Sequence, residues 1–108
     1  MQKKLLAEFL GTYFLMFLGT GAIVVNELTQ TLSPMWLSLL FGMLVMVIIY
    51  AFGHISGAHI NPAVTIGFLV NRDIDGKGAV YYIIAQMMGG ISASYSLLFL
   101  FGNVANLG

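Results

Sequence analysis

The chain has 108 residues, 59% hydrophobic and only 7% charged, with four basic against four acidic side chains. A soluble domain carries about a quarter charged residues, so this composition argues for lipid surroundings and against a hydrated globule. The balanced charge leaves no basic patch for nucleic acid, and the absence of cysteine rules out disulfides, thiolate metal sites and cysteine nucleophiles.

Lys3 and Lys4 precede an apolar run of 21 residues, 5–25. At 1.5 Å per residue this run is roughly 31 Å long, close to the thickness of a bilayer's hydrocarbon core. It lacks a small-x-small cleavage site followed by polar sequence, so a retained helix is expected and not a signal peptide. Residues 26–33 form a short polar loop. Ser33-Pro34 then supplies a helix cap followed by proline in the first turn. The second span is expected over 35–52, with Trp36 at its mouth, where an amphipathic ring favours the interface.

Residues 54–60, His-Ile-Ser-Gly-Ala-His-Ile, are expected to be non-helical, with His54 just past the end of the second span. Asn61-Pro62 restarts a helix, whose apolar run 63–70 stops at Asn71-Arg72-Asp73. Such a helix is roughly 14 Å long and reaches only halfway across a bilayer, so the stretch 54–70 is expected to be re-entrant. Asp75 and Gly76 punctuate the start of a third span over 78–101. That span is about 36 Å long and so has to tilt or protrude. Ala85, Gly89 and Ala93 lie four apart, as do Ala7 and Gly11, a spacing of small residues that lets helices approach closely in lipid.

The basic residues give an orientation. Lys3, Lys4, Arg72 and Lys77 all fall on one side of this layout and none on the other. The N-terminus is therefore expected to be cytoplasmic, in a plasma or inner membrane.

Broken backbone at membrane depth has to be buried or line a watery cavity. A half-helix beginning near mid-membrane aims free N–H groups and the positive end of its dipole at the centre. The Asn61 amide can donate there, while the carbonyls of Gly57, Ala58 and His59 have no helical partner and can accept. A row of acceptors leading to a donor suits water, and the positive end disfavours cations. Asn-Pro alone is a common turn, but the whole run from His54 to Gly67, His-Ile-Ser-Gly-Ala-His-Ile-Asn-Pro-Ala-Val-Thr-Ile-Gly, is highly specific.

This run resembles the first signature loop of the aquaporin, or major intrinsic protein, family. Ala7-Glu-Phe-Leu-Gly-Thr12 and Tyr82-Ile-Ile-Ala-Gln86 with Gly89 are similar to that family's first and third spans. The resemblance covers essentially the whole chain as one N-terminal repeat, 1–108. It implies an all-α integral membrane fold, a half-barrel of three spans and one re-entrant half-helix. It also implies that Asn61, Pro62 and Ala63 stand at the pore centre and that Glu8 supports the signature loop. Phe41 matches a position of the selectivity constriction, where phenylalanine is typical of water-selective members and tryptophan of glycerol-conducting ones. Val45 and Val64 match apolar positions of the pore wall. Gln86 is expected to make an interhelical hydrogen bond, and the His59 side chain to be structural.

The chain departs from the family pattern in carrying one repeat, no second Asn-Pro and Val64 where a filter arginine would follow a second motif. Three spans leave the signature loop open on one side. A complementary repeat, a second, inverted copy or the rest of a longer channel is expected to close it, and the resemblance implies tetramer-like assembly of complete pores. The four-to-zero charge bias argues against the inverted copy. The leading expectation is a passive water channel component embedded in lipid. The alternatives are a glycerol or small neutral solute facilitator and a non-conducting structural subunit. No catalysis, cofactor or metal is expected, since His54 and His59 are the only histidines and no nucleophile–base pair is visible.

Overall fold

A computed structural model describes residues 1–108, and it is entirely helical. Four helices follow in order: α1 (Gln2–Thr29), α2 (Pro34–Ser56), α3 (Pro62–Val70) and α4 (Gly76–Phe101). A single 3-10 turn, Ala105–Leu107, closes the chain against α1. Three of the helices, α1, α2 and α4, are long and apolar enough to cross a membrane.

The spans are longer than their apolar runs. α1 begins at Gln2 and continues through Thr29, well beyond 5–25, because nothing breaks it until Gln30 turns left-handed at φ 54°. Asn26 Oδ1 then accepts from Leu32 N at 2.7 Å and closes the short loop. α2 starts as expected, with Ser33 capping Trp36 N and Pro34 in the first turn. Its end differs from expectation: His54, Ile55 and Ser56 are helical, and the helix stops only at Gly57, whose φ of 86° makes the left-handed cap. Only residues 57–61 are non-helical there. α4 starts two residues before 78, where Asp75 Oδ1 accepts from Gly78 N at 2.8 Å.

α1 and α4 form the packed centre. A methyl group placed on Gly89 would lie 2.5 Å from the Phe9 carbonyl oxygen, so the two backbones are in direct contact there. Ala93 and Ala7 are buried alongside, as small residues at a lipid-embedded helix crossing should be. Tyr13 and Ser96 share a hydrogen bond of 2.8 Å across the same pair. α2 packs along α1, and at its end Ser56 O accepts from Tyr82 Oη of α4. α3 packs on α4.

Met1 and Lys4 line one cleft with Asp73, Ile74 and Asp75, which puts the N-terminus and the α3–α4 turn at one end of the molecule. From that end the chain dips back inward over residues 57–61. Ile60 reaches Gly11 of α1, roughly 15 Å along that helix from its start.

Candidate functional site

The site is organised by one carboxylate. Glu8 is completely buried on α1. Its Oε1 accepts from Ser56 Oγ at 2.8 Å and His59 N at 2.9 Å. Its Oε2 accepts from Ile60 N at 2.7 Å and Gln86 Nε2 at 2.9 Å. Burying a carboxylate costs several kcal/mol unless its lone pairs find donors, and four donors answer all of them here.

Those bonds fix an unusual backbone. Gly57, Ala58 and Ile60 have φ of 86°, 48° and 48°. Glycine adopts this region freely, whereas alanine and a β-branched isoleucine are strained there by about 1–3 kcal/mol each. Ala58 N is held by Ser56 Oγ at 3.1 Å, and Gly57 N by Gly53 O at 2.9 Å. The N–H groups of residues 57 to 60 are thus all used, while the four carbonyls of the same residues accept no hydrogen bond within the chain.

The loop ends in a capped half-helix. Asn61 Oδ1 accepts from Ala63 N at 2.8 Å, and Pro62 occupies the first turn. This cap consumes the acceptor of the Asn61 amide and leaves its Nδ2 with no partner. α3 is nine residues long, about 14 Å, and presents its N-terminus at the depth of Thr12.

A second layer of side chains supports this arrangement; His59 and Gln86 were expected in structural roles, whereas sequence reasoning gave Ser56, Thr65, Phe68 and Tyr82 none. Thr65, fully buried on α3, accepts from Gln86 Nε2 at 2.9 Å and meets His59 Nδ1 at 3.0 Å. The His59 ring stacks on Phe68 with centroids 4.4 Å apart and meets Tyr82 edge-on. Tyr82 Oη donates to Ser56 O at 2.7 Å. Ser56, Thr65 and Tyr82 are polar groups inside otherwise apolar segments, and that is the signal by which they stand out in the sequence.

Glu8, Gln86, Gly57, Ala58, His59, Asn61, Pro62 and Ala63 therefore lie together around one loop. Phe41 and Val45 do not join them, since α2 makes no contact with α3. Phe41 is half-buried, with its ring edge seated on Gly19 of α1. Val64 is 41% exposed on α3.

A groove of about 630 Å³ opens between α1, α4 and the tip of α3, lined by Thr12, Met16, Asn61, Gln86 and Ile91 among others. Most of its wall is apolar, yet Thr12 Oγ1 and Gln86 Oε1 are buried without a hydrogen-bond partner. No group of three or more metal-ligating side chains occurs anywhere in the chain.

Comparison with known proteins agrees with this architecture. A family described as "Major intrinsic protein" matches residues 1–108. The chain is 46% identical over 101 residues to "Aquaporin NIP1-1" of Arabidopsis thaliana, covering 93% of this chain and 34% of the relative. It is 51% identical over 92 residues to "Glycerol uptake facilitator protein-like 6" of Lactiplantibacillus plantarum, covering 85% of this chain and 41% of that protein. With "Aquaporin NIP1-1" of Zea mays the identity is 44% over 102 residues, or 93% and 36% of the two lengths. The chain thus spans between 34% and 41% of the length of these curated relatives. A match along its whole length, three spans and a half-helix at a buried glutamate all agree: the chain is an integral membrane protein of the major intrinsic protein (aquaporin) family.

Proposed function

We propose that the chain forms one half of a passive channel for water, closed by a complementary half of opposite orientation. The observation that carries this reading is the loop's one-sided hydrogen bonding. Residues 57 to 60 spend every N–H internally and leave every carbonyl free. The half-helix then adds a free Asn61 Nδ2 at its positive end. A water molecule can donate to the carbonyls of Gly57, Ala58 and His59 and accept from Asn61. A cation can use the carbonyls but meets the dipole's positive end at the centre, which opposes its passage.

Asn61, Pro62 and Ala63 form the pore centre in this reading, Val45 and Val64 its apolar walls, and Phe41 part of its constriction. Glu8 and Gln86 support the loop. The groove beside Asn61 is where the complementary half seats. Complete pores assemble in a tetramer-like arrangement in the plasma or inner membrane. Lys3, Lys4, Arg72 and Lys77 face the cytoplasm. The family is one of membrane channels, so no catalytic step is assigned.

A second reading, conduction of glycerol or another small neutral solute, is favoured by one observation. The relative sharing 51% identity is named a glycerol uptake facilitator protein. Phe41 favours water through the family resemblance, since phenylalanine at the matching position is typical of water-selective members and tryptophan of glycerol-conducting ones.

Stopped-flow shrinkage of liposomes, with glycerol uptake in parallel, tests both readings. The purified chain is reconstituted alone and together with a complementary C-terminal half. Water flux above empty liposomes in either sample supports the channel. Flux from the chain alone identifies a self-paired pore, and flux only with the complement identifies two unlike halves. Robust glycerol uptake replaces the water reading with the solute reading. No flux from either sample, with the protein shown to be inserted and folded, overturns the channel.

A further inference from the structure

Gly19 sits inside a long helix, where glycine is less favourable than alanine, so its presence asks for a packing reason. The reason is an aromatic ring. A methyl group on Gly19 would lie 2.5 Å from Phe41 Cε1, 2.8 Å from Cζ and 3.2 Å from Cδ1. Three ring atoms therefore occupy the space that any larger residue at position 19 would fill. Gly19 is buried, while Phe41 is only half-buried, on a helix whose packing partner is α1. The ring is clamped on one side and uncovered on the other.

A ring held this way has one direction in which to yield. Bulk added at Gly19 drives it away from α1 toward the side that neither α3 nor α4 covers. Gly42, the neighbour of Phe41 on α2, has open space around it, and a methyl group there meets nothing. Position 19 differs from other glycines of α1 in this respect. Gly21 faces the flexible end of Leu97, and Gly11 faces Ile60 and Ile48.

We propose that Gly19 is a positioning residue for the constriction: its missing side chain sets how far the Phe41 ring projects from the α1–α2 pair, and thereby the width available to the permeating molecule. This rests on the reading of Phe41 as a constriction residue given above. Gly19 itself touches no permeant, and it acts only through the ring.

The test is a mutant cycle in the conducting liposomes, alone or with the complementary half. Gly19→Ala is expected to lower water permeability about twofold or more, because the displaced ring narrows the path. Phe41→Ala is expected to raise glycerol uptake. Adding Gly19→Ala to Phe41→Ala is expected to change nothing further, whereas a general folding defect would lower flux in both backgrounds. Gly42→Ala is the silent control. Equal loss in both backgrounds, or no loss in either, overturns the proposal. If Phe41→Ala alters nothing, the constriction reading falls and the proposal with it. If Phe41→Ala acts and Gly19→Ala does not, only the proposal falls. Magic-angle-spinning NMR in bilayers reads the seat without conduction. The cross peak between the position-19 Cα and the Phe41 ring is expected to be strong in the wild type and to weaken in Gly19→Ala. Retention at full strength overturns the proposal.

Discussion

The backbone N–H of Ile60 donates to Glu8 Oε2 at 2.7 Å while Ile60 itself is held at φ 48°. A β-branched residue rarely adopts that conformation, so the carboxylate holds a strained backbone in place as well as satisfying it. Glu8→Gln replaces one acceptor oxygen with an NH₂ group that confronts backbone or amide donors. It is expected to destabilise the chain by about 1–3 kcal/mol, the cost of leaving buried donors unpaired. Thermal unfolding in detergent reads the change. An unaltered midpoint would show that the loop holds its shape without Glu8.

Asn61→Asp keeps the oxygen that caps Ala63 N but removes the free Nδ2 donor and adds negative charge at the half-helix start. A carboxylate is compatible with the helix N-terminus, so folding is expected to persist. Water flux is expected to fall roughly fivefold, the loss of one hydrogen bond of about 1 kcal/mol, and cation leak to rise. Liposome shrinkage and potassium efflux measure the two effects. Unchanged conduction would remove Asn61 from the pore.

Thr65→Val leaves Gln86 Nε2 with Glu8 alone and strips His59 Nδ1 of its partner. The volume is nearly unchanged, so the cost isolates hydrogen bonding, at about 1–3 kcal/mol. Both detergent stability and water flux are expected to drop. A stable variant of normal flux would make Thr65 a passive filler.

Gly89→Ala puts a methyl group 2.5 Å from the Phe9 carbonyl oxygen, against backbone that cannot rotate away. Separation of α1 and α4 is expected to cost about 1–3 kcal/mol. Unfolding in graded detergent measures it. Ala93, buried on the same face of α4, tolerates Ala93→Ser better, since a hydroxyl can bond back to its own helix.

Phe41→Trp is expected to raise glycerol uptake relative to water, if the wild-type chain starts water-selective. Parallel uptake and shrinkage assays measure the ratio. A ratio that does not move would place Phe41 among packing residues of the α1–α2 pair.

Much of this was legible in the residues. Ser33-Pro34, Asn61-Pro62 and Asp75 are local caps whose chemistry does not depend on distant parts of the chain, and the helix starts they imply lie within two residues of those observed. Helix ends were harder to read. Apolar runs report where lipid stops and not where helix stops, so Asn26 to Thr29 and His54 to Ser56 extend α1 and α2 beyond the hydrophobic stretch. The polarity of Ser56, Thr65 and Tyr82 within apolar segments marks them out, but their supporting roles depend on contacts between elements far apart in sequence, which that polarity does not specify. The seat of Phe41 on Gly19 was hidden for the same reason.

The four donors around Glu8 lie 48, 51, 52 and 78 positions later in the chain. Synthesis runs from the N-terminus, so this carboxylate emerges before every group that satisfies it. At about 5–20 residues per second the interval before the first of them is roughly 2–10 s. Throughout that time α1 carries an acid whose eventual partners do not yet exist. Water, the insertion machinery or the nearby Lys4 has to accommodate it meanwhile. The group that orders the finished loop is therefore also the one that makes the first helix hardest to commit to the bilayer alone, and it ties final insertion of α1 to the arrival of α4.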